Sequence, residues 1–387
     1  MKTKGIKVPY EKKKKLLDAY QNKKYDISER LSLSYLKEYP HDNFGWKILG
    51  LIFLDTNRAT DALEATQKSL LLEPQDAEAH NNLGITLQEL NRLEEAEASY
   101  KQAIALKPDL AEAHFNLGIT QQELNRLEDS ETSYKQAIAL NPDHAYSHYY
   151  LGFAMQELGR LEEALACYKQ AIVLESDYTE AYFNLGVTLQ ELGRSEEALA
   201  CYKQAIALKP DYALAHNNLG FTFKELGRLE EALACYKQAI ALKPDYALAH
   251  SNLCRILYYF DYKDAALESI ERANAIDPGS KIYGLILNFI KSRKSHLGSE
   301  AEVDDTHEVA SVTELASNPL ILHRATEEGL INKLYEINPN LKKKAKGDAR
   351  FGTRSSGFKL FEDSNPIIQT LAADLTKIMM DAIKSEI

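Results

Sequence analysis

An all-α fold, a superhelical solenoid of antiparallel helix pairs, is what this chain predicts, and three observations carry the prediction. A 34-residue register runs from Pro40 to Pro278 without insertion or deletion. Each unit holds two apolar stripes of helical period, and a residue suited to ending a helix stands between them. Repeats of this length build solenoids, in which a unit buries its apolar face only against its neighbours.

The register is read most directly from Leu49-Gly50, Leu83-Gly84, Leu117-Gly118, Leu151-Gly152, Leu185-Gly186 and Leu219-Gly220, with Leu253-Cys254 closing the series. Prolines at 40, 74, 108, 142, 210, 244 and 278 keep the same step, and Ser176 replaces the proline in one unit. Within a unit the first stripe runs through Leu83, Gly84 and Leu87, the second through Ala96, Tyr100 and Ala103. Asn57, Asn91, Asn125, Gly159, Gly193 and Gly227 stand between the stripes, and these residue types tolerate the left-handed conformation of a helix C-terminus. Glu94-Glu95, Glu162-Glu163 and Glu230-Glu231 open the second helix, where the helix dipole favours carboxylates. The proline row then stops that helix. Small residues at Gly84, Ala96 and Ala103 are expected to let paired helices approach closely, with the Tyr100 row filling space toward the next unit.

An aromatic residue or His, then Leu-Gly, then Ala, Tyr, Ala and Pro is a pattern that resembles the tetratricopeptide repeat, and seven copies fit residues 43–280. Trp46 stands where that family most often has Trp. His80, His114, His148, His216 and His250 take the slot elsewhere, with Tyr182 in one unit. Stacked repeats separate these histidines by about 10 Å, too far to share an ion. They are therefore expected to pack in the core.

Residues 1–42 keep two helical stretches and Pro40 without the Leu-Gly pair, as a degenerate N-terminal capping repeat should. Residues 281–295, with Ile282, Leu285, Leu287 and Phe289 among lysines, are expected to form a C-terminal capping helix. The periodicity then gives way to a linker over 296–318 and a partial, α-rich segment over 319–387. That segment places Ile368, Leu371, Leu375, Ile378, Met379 and Ala382 on one face after Asn365-Pro366. Asn318-Pro319-Leu320, residues 348–352 (Asp-Ala-Arg-Phe-Gly), Leu360-Phe361-Glu362 and the stretch 371–387 resemble the opening of the iron and 2-oxoglutarate dependent oxygenase domains that follow tetratricopeptide repeats in bacteria. The resemblance implies that the iron site lies beyond Ile387, which gives, as the alternative to a scaffold that binds extended polypeptide in its concave groove, the recruiting portion of a truncated oxygenase. Within the chain itself no His-x-Asp or His-x-Glu occurs, and His323 is the one histidine after the linker. The residues present cannot assemble a two-His, one-carboxylate triad, so no metal, cofactor or catalytic group is expected. Residues 352–357 have the span of a phosphate loop, but Phe358 stands at the lysine position.

The chain carries a formal charge of −11, which disfavours nucleic acid and leaves proteins or extended peptides, basic ones above all, as the expected partners. The basic runs 12–15 and 342–344 are short and read as solvated faces or loops. No stretch approaches a membrane span, and no apolar stretch follows the basic start, so a cytoplasmic location is expected. Cys167, Cys201 and Cys235 share one repeat position, and residues 193–216 and 227–250 differ only at Ser195 and Leu229. Copying of units accounts for such cysteines better than a disulfide framework does.

The face of each first helix opposite its core stripe carries the second, sixth, ninth and thirteenth residues. By resemblance to tetratricopeptide solenoids, this face lines the concave groove. The sixth position gives Asn82, Asn116, Asn184, Asn218 and Asn252, interrupted by Tyr150. The thirteenth gives Glu89, Glu123, Glu157, Glu191 and Glu225. An amide offers donor and acceptor together, so such a row can hold the backbone of an extended peptide, and the glutamates add a preference for basic ligands. Ile85, Ile119, Phe153, Val187 and Phe221 supply apolar contact, and Tyr146, Tyr149 and Tyr150 form a candidate anchor. The asparagine row also resembles the ladder in the repeats of O-linked N-acetylglucosamine transferase, which implies an adaptor or module related to such enzymes. Duplication of units by itself produces rows of the same regularity.

Overall fold

The computed structural model describes residues 10–296, and among them every regular element is an α-helix. Helices α1 (Tyr10–Gln21) and α2 (Tyr25–Glu38) form a first pair, and seven further pairs follow. These are α3 (Asn43–Asp55) with α4 (Ala59–Leu72), α5 (Ala77–Glu89) with α6 (Leu93–Leu106), and α7 (Ala111–Glu123) with α8 (Leu127–Leu140). Next come α9 (Ala145–Glu157) with α10 (Leu161–Leu174), α11 (Thr179–Glu191) with α12 (Ser195–Leu208), and α13 (Ala213–Glu225) with α14 (Leu229–Leu242). The last pair is α15 (Ala247–Tyr259) with α16 (Lys263–Ile276), and the single helix α17 (Lys281–His296) packs on it.

The turn chemistry sets the pairs. Asn57, Asn91 and Asn125 adopt φ of 55–57°, and Gly159, Gly193 and Gly227 adopt 72–73°. The following N–H then folds back onto the helix, as when Arg92 N donates to Leu87 O at 2.8 Å and Asn91 N to Gln88 O at 2.8 Å. Together these bonds satisfy carbonyls that the helix end would otherwise leave open. Each arginine so placed also pairs with a carboxylate in the first turn of the next helix, Arg92 with Glu95 and Arg160 with Glu163.

The tyrosine row locks each pair from within. Tyr100, Tyr134, Tyr168, Tyr202 and Tyr236 are all at most 1% exposed, and each ring lies on the glycine of its partner helix. A Cβ at Gly84 would stand 2.4 Å from the Tyr100 ring, and one at Gly118 would stand 2.6 Å from Tyr134. The expectation that this row mainly fills space toward the next unit therefore needs correction, because the ring first of all fills the space that glycine leaves in its own unit. The hydroxyl does reach the seam between units. Tyr100, Tyr134, Tyr168 and Tyr202 donate to Gln88, Gln122, Gln156 and Gln190, while Thr120 and Thr188 of the following units donate to Gln88 and Gln156. At the ends of the array the pair changes together: Gly50 faces Thr66, and Cys254 shares its unit with the buried Ile270.

The histidine slot also differs from its expectation. These rings are half-exposed, not core. His80, His114, His148, His216 and His250 each set Nε2 at 2.9–3.1 Å from the carbonyl of the proline six residues earlier. Trp46 Nε1 donates to Pro40 O in the same way at 3.0 Å. A ring N–H is what the position requires, because the carbonyl before the helix start needs a donor. The unit with Ser176 in place of proline is also the unit with Tyr182, which has no ring N–H to offer.

Beyond the pairs, each second helix packs on the next first helix, giving a linear stack in which the substantial packing among the described residues lies between neighbouring units. The core accordingly runs along the axis, one cluster extending from Tyr134 to Ile290 and another gathered around Leu16, Ile52 and Ala62. At the N-terminal end, Asp42 caps α3 by accepting from Phe44 N, while Tyr35 Oη donates to it at 2.5 Å and Lys13 pairs with it at 2.8 Å. Lys12 pairs with Glu38, so half of the basic run at 12–15 serves to hold α1 onto the end of α2 and the cap of α3.

Candidate functional site: the inner face of the first helices

First helices of successive units also pack on one another, α3 on α5, α5 on α7, and so on to α11 on α13, whereas no second helix packs comparably on the next. The first helices therefore crowd the inner side of the curve and the second helices spread along the outer side. On the helical period the second, sixth, ninth and thirteenth positions share one face of each first helix.

At the ninth position Ile85, Ile119, Phe153, Val187 and Phe221 are all half-buried, an apolar row through five consecutive units. At the thirteenth, Glu89, Glu123, Glu157 and Glu225 are exposed and Glu191 is half-buried. Gln88 donates to Glu123 at 3.1 Å and Gln156 to Glu191 at 3.4 Å, so two of these carboxylates are oriented from the preceding unit. Although Glu225 is exposed as a residue, its carboxyl end is partly withdrawn from water, and this desolvation holds it above its ordinary value against the opposing effects of the Ser195 hydroxyl and Lys224.

The asparagine row is built into the seams between units. Asn116 Nδ2 donates to Asn81 Oδ1 at 3.2 Å, Asn184 to the Tyr149 hydroxyl at 2.8 Å, and Asn252 to Asn217 Oδ1 at 3.0 Å. In each case a sixth-position amide meets the fifth residue of the unit before. Where that fifth residue is Phe115, the sixth position holds Tyr150, and the two rings meet edge-on at 5.6 Å. Asn82, Asn116, Asn184 and Asn218 are half-buried, but Asn252 is only 6% exposed, enclosed between Asn217 and Arg255. Asn252 thus lies beneath the face rather than on it. The sequence pattern identified the row, whereas its partners, 35 residues away across a seam, depend on how units rotate against each other.

The three tyrosines come together, with company that sequence reasoning missed. Tyr149 meets Tyr150 at 5.2 Å and Tyr178 at 4.8 Å, and Tyr146 meets Tyr178 at 5.1 Å. Phe115, Tyr134, His144 and Tyr168 extend the cluster below. Tyr146 is 46% exposed at its rim, and burial pushes the Tyr149 hydroxyl up to about 12. The signal that could have found Tyr178 is its place in the turn before α11, one residue ahead of the helix whose Asn184 holds Tyr149.

Burial raises the thiols of Cys167, Cys201 and Cys235 to about 11, which keeps them protonated and poorly nucleophilic. Among the described residues no three His, Cys, Asp or Glu side chains stand close enough to hold a metal ion, and no helix is long and apolar enough to cross a membrane. The linker beyond residue 296 and the oxygenase-like segment 319–387, with its amphipathic stretch after Pro366, lie outside the described residues.

Comparison with known proteins agrees with this architecture. A TPR repeat model matches residues 87–125, 122–159, 156–193, 190–227 and 222–258, and a tetratricopeptide repeat model matches 65–98. No curated protein sequence matches. Among solved structures, the Cut9–Hcn1 hetero-tetramer of the APC/C is similar over 69% of this chain and 52% of its own, at 15% identity and TM-score 0.52. PilF of Pseudomonas aeruginosa is similar over 57% of this chain and 98% of its own, at 18% identity and TM-score 0.50. YrrB, described as a TPR protein with an unusual peptide-binding site, covers 48% of this chain and 96% of its own at 28% identity and TM-score 0.44. A chain whose units match these models from residue 65 to 258 and stack as paired helices throughout belongs to the tetratricopeptide-repeat family of protein-interaction scaffolds.

Proposed function

We propose that the chain binds an extended, basic polypeptide segment along the inner face of its first helices. The observation that carries this reading is the apolar row Ile85, Ile119, Phe153, Val187 and Phe221, left half-exposed through five units and flanked by the glutamate row. Solenoid curvature makes such a surface long and concave, the shape that suits an extended chain. The apolar row supplies affinity, the glutamates select cationic side chains and speed their arrival, and the cluster under Tyr146 offers an aromatic anchor. The asparagines can add backbone contacts with whatever hydrogen-bonding capacity the seams leave them.

The test is fluorescence anisotropy with labelled peptides of equal length, one rich in Lys and Arg and one rich in Asp and Glu. Binding of the basic peptide should weaken about tenfold on Phe153→Ala, a loss of about 1.4 kcal/mol. It should also weaken on E89Q/E123Q, and fall with added salt as exposed charge pairs do. Equal affinity for both peptides would sink the charge preference, and no effect of Phe153→Ala would place the binding surface elsewhere.

A further inference from the structure

The sequence itself contains a ligand of the proposed class. Residues 342–359 hold Lys342, Lys343, Lys344, Lys346, Arg350, Arg354 and Lys359 against one acid, Asp348, in a chain whose overall charge is −11. Glu89, Glu123, Glu157, Glu191 and Glu225 run along the inner face from α5 to α13. We infer that this basic stretch is the resident occupant of the acidic inner face, so that an external ligand must displace it. The inference rests on the reading of that face as a site for basic polypeptide.

Reach and concentration both favour the intramolecular pairing. The 45 residues between His296 and Lys342 can extend about 150 Å at roughly 3.4 Å per residue. Seven stacked units at about 10 Å each span only about 70 Å, so the tether reaches every unit. Tethering over this length holds the segment at an effective concentration up to the millimolar range, above that of most competitors in solution. At physiological salt, charges separated by more than about 8 Å are largely screened, so a flanking apolar row that brings the chains into contact is needed to retain the segment. Ile85, Ile119, Phe153, Val187 and Phe221 form that row, and Phe351 and Phe358 within the stretch are suited to it.

The experiment uses the full chain and a labelled synthetic peptide of residues 340–359, followed by anisotropy. The variant K342Q/K343Q/K344Q/K346Q, which changes no residue of the helix stack, should bind that peptide at least tenfold more tightly than wild type, because its own segment no longer occupies the face. Equal, measurable binding by both would overturn the self-occupancy while leaving the basic-peptide site standing. Absence of binding by the variant at low salt would overturn the inference too, and an unrelated Lys- and Arg-rich peptide would then show whether the site itself fails. Carbodiimide coupling of the wild-type chain supplies a reading independent of any variant. Links from lysines 342–346 to Glu89, Glu123 or Glu225 are expected, and links solely to carboxylates off the inner face would reject the assignment.

Discussion

The side-chain amide of Asn184 donates to the hydroxyl of Tyr149 at 2.8 Å, joining two units at the point where the asparagine row meets the aromatic cluster. One side chain therefore belongs both to the candidate site and to the seam that keeps the site in shape. Asn184→Ala should lower stability by about 0.5–1.5 kcal/mol, the net worth of a partly buried hydrogen bond. A double-mutant cycle with Tyr149→Phe in denaturant titrations should show a coupling of similar size, and strict additivity would mean that the bond contributes nothing. For the same reason, replacing the asparagines together confounds binding with stability. Phe153 and the exposed glutamates are the cleaner probes of the groove.

Gly84 and Tyr100 form the tightest glycine–tyrosine contact of the row, with 2.4 Å between a built Cβ and the ring. Real Cβ contacts do not come that close, so Gly84→Ala must displace the ring or open the helix pair. Destabilisation of about 1–3 kcal/mol is expected from such overpacking. Gly159→Ala is a useful contrast: nothing stands within 4 Å of its Cβ, and its cost comes from φ of 72° alone. Thermal melts separate the two mechanisms when each glycine variant is combined with removal of the ring in its own pair: Tyr100→Leu should absorb part of the Gly84→Ala loss, whereas Tyr168→Leu should leave the Gly159→Ala loss intact.

The helix pairs, their turns and the close approach at glycine were legible because each depends on chemistry local to one unit. Asn91 and Gly159 announce a left-handed residue wherever they stand, and the small residues Gly84, Ala96 and Ala103 announce close helices, whereas the place of the Tyr100 ring over Gly84, rather than toward the next unit, was not legible in the pattern. The histidines were not legible from their type alone, since a half-apolar ring suits a core as well as a carbonyl. The clue lay in two substitutions within one unit, Ser176 for proline and Tyr182 for histidine. The seam partners were hidden for a different reason: Asn116 with Asn81 and Asn184 with Tyr149 are adjacent only after units stack, and no period of 34 reveals the angle between them.

Gln156 shows what the seam is worth. Its carbonyl accepts from Tyr168 at 2.9 Å and from Thr188 of the next unit at 3.3 Å, and its amide donates to Glu191. Gln156→Leu leaves a fully buried tyrosine hydroxyl without its acceptor and should cost about 1–3 kcal/mol. The chain contains the reverse case: Tyr236 is 1% exposed, its hydroxyl has no partner among the described residues, and Lys224 occupies the glutamine position. Lys224→Gln should therefore raise the denaturant midpoint, by about 0.5–1.5 kcal/mol in stability. A fall in the midpoint would show that the lysine contributes more than the restored bond.

Glu97 and Glu131 make the stability of the N-terminal units depend on pH, and three leucines later in the chain show how the dependence can be removed. Burial tends to raise both carboxyls, but Lys101 and Arg126 around Glu97, and Lys135 and Arg160 around Glu131, outweigh it and hold them below the ordinary carboxylate value. The folded chain then releases these protons more readily than the unfolded one, so stability rises with pH through this range. The contribution is complete above the ordinary value of 4.5 and is lost as pH falls through the depressed folded values. Leu165, Leu199 and Leu233 stand at the same repeat position, and Leu165 is buried there at 7% exposure. E97L/E131L should flatten the acid limb of stability between about pH 5 and pH 3 while changing stability at pH 7 little, because apolar replacement of an ion pair in a packed seam is often close to neutral. Urea midpoints measured across that range decide the matter. Parallel acid limbs in wild type and variant would assign the pH dependence to other carboxylates, with Asp42 beneath Lys13 and Tyr35 the first to examine, since it too is held below its ordinary value despite burial.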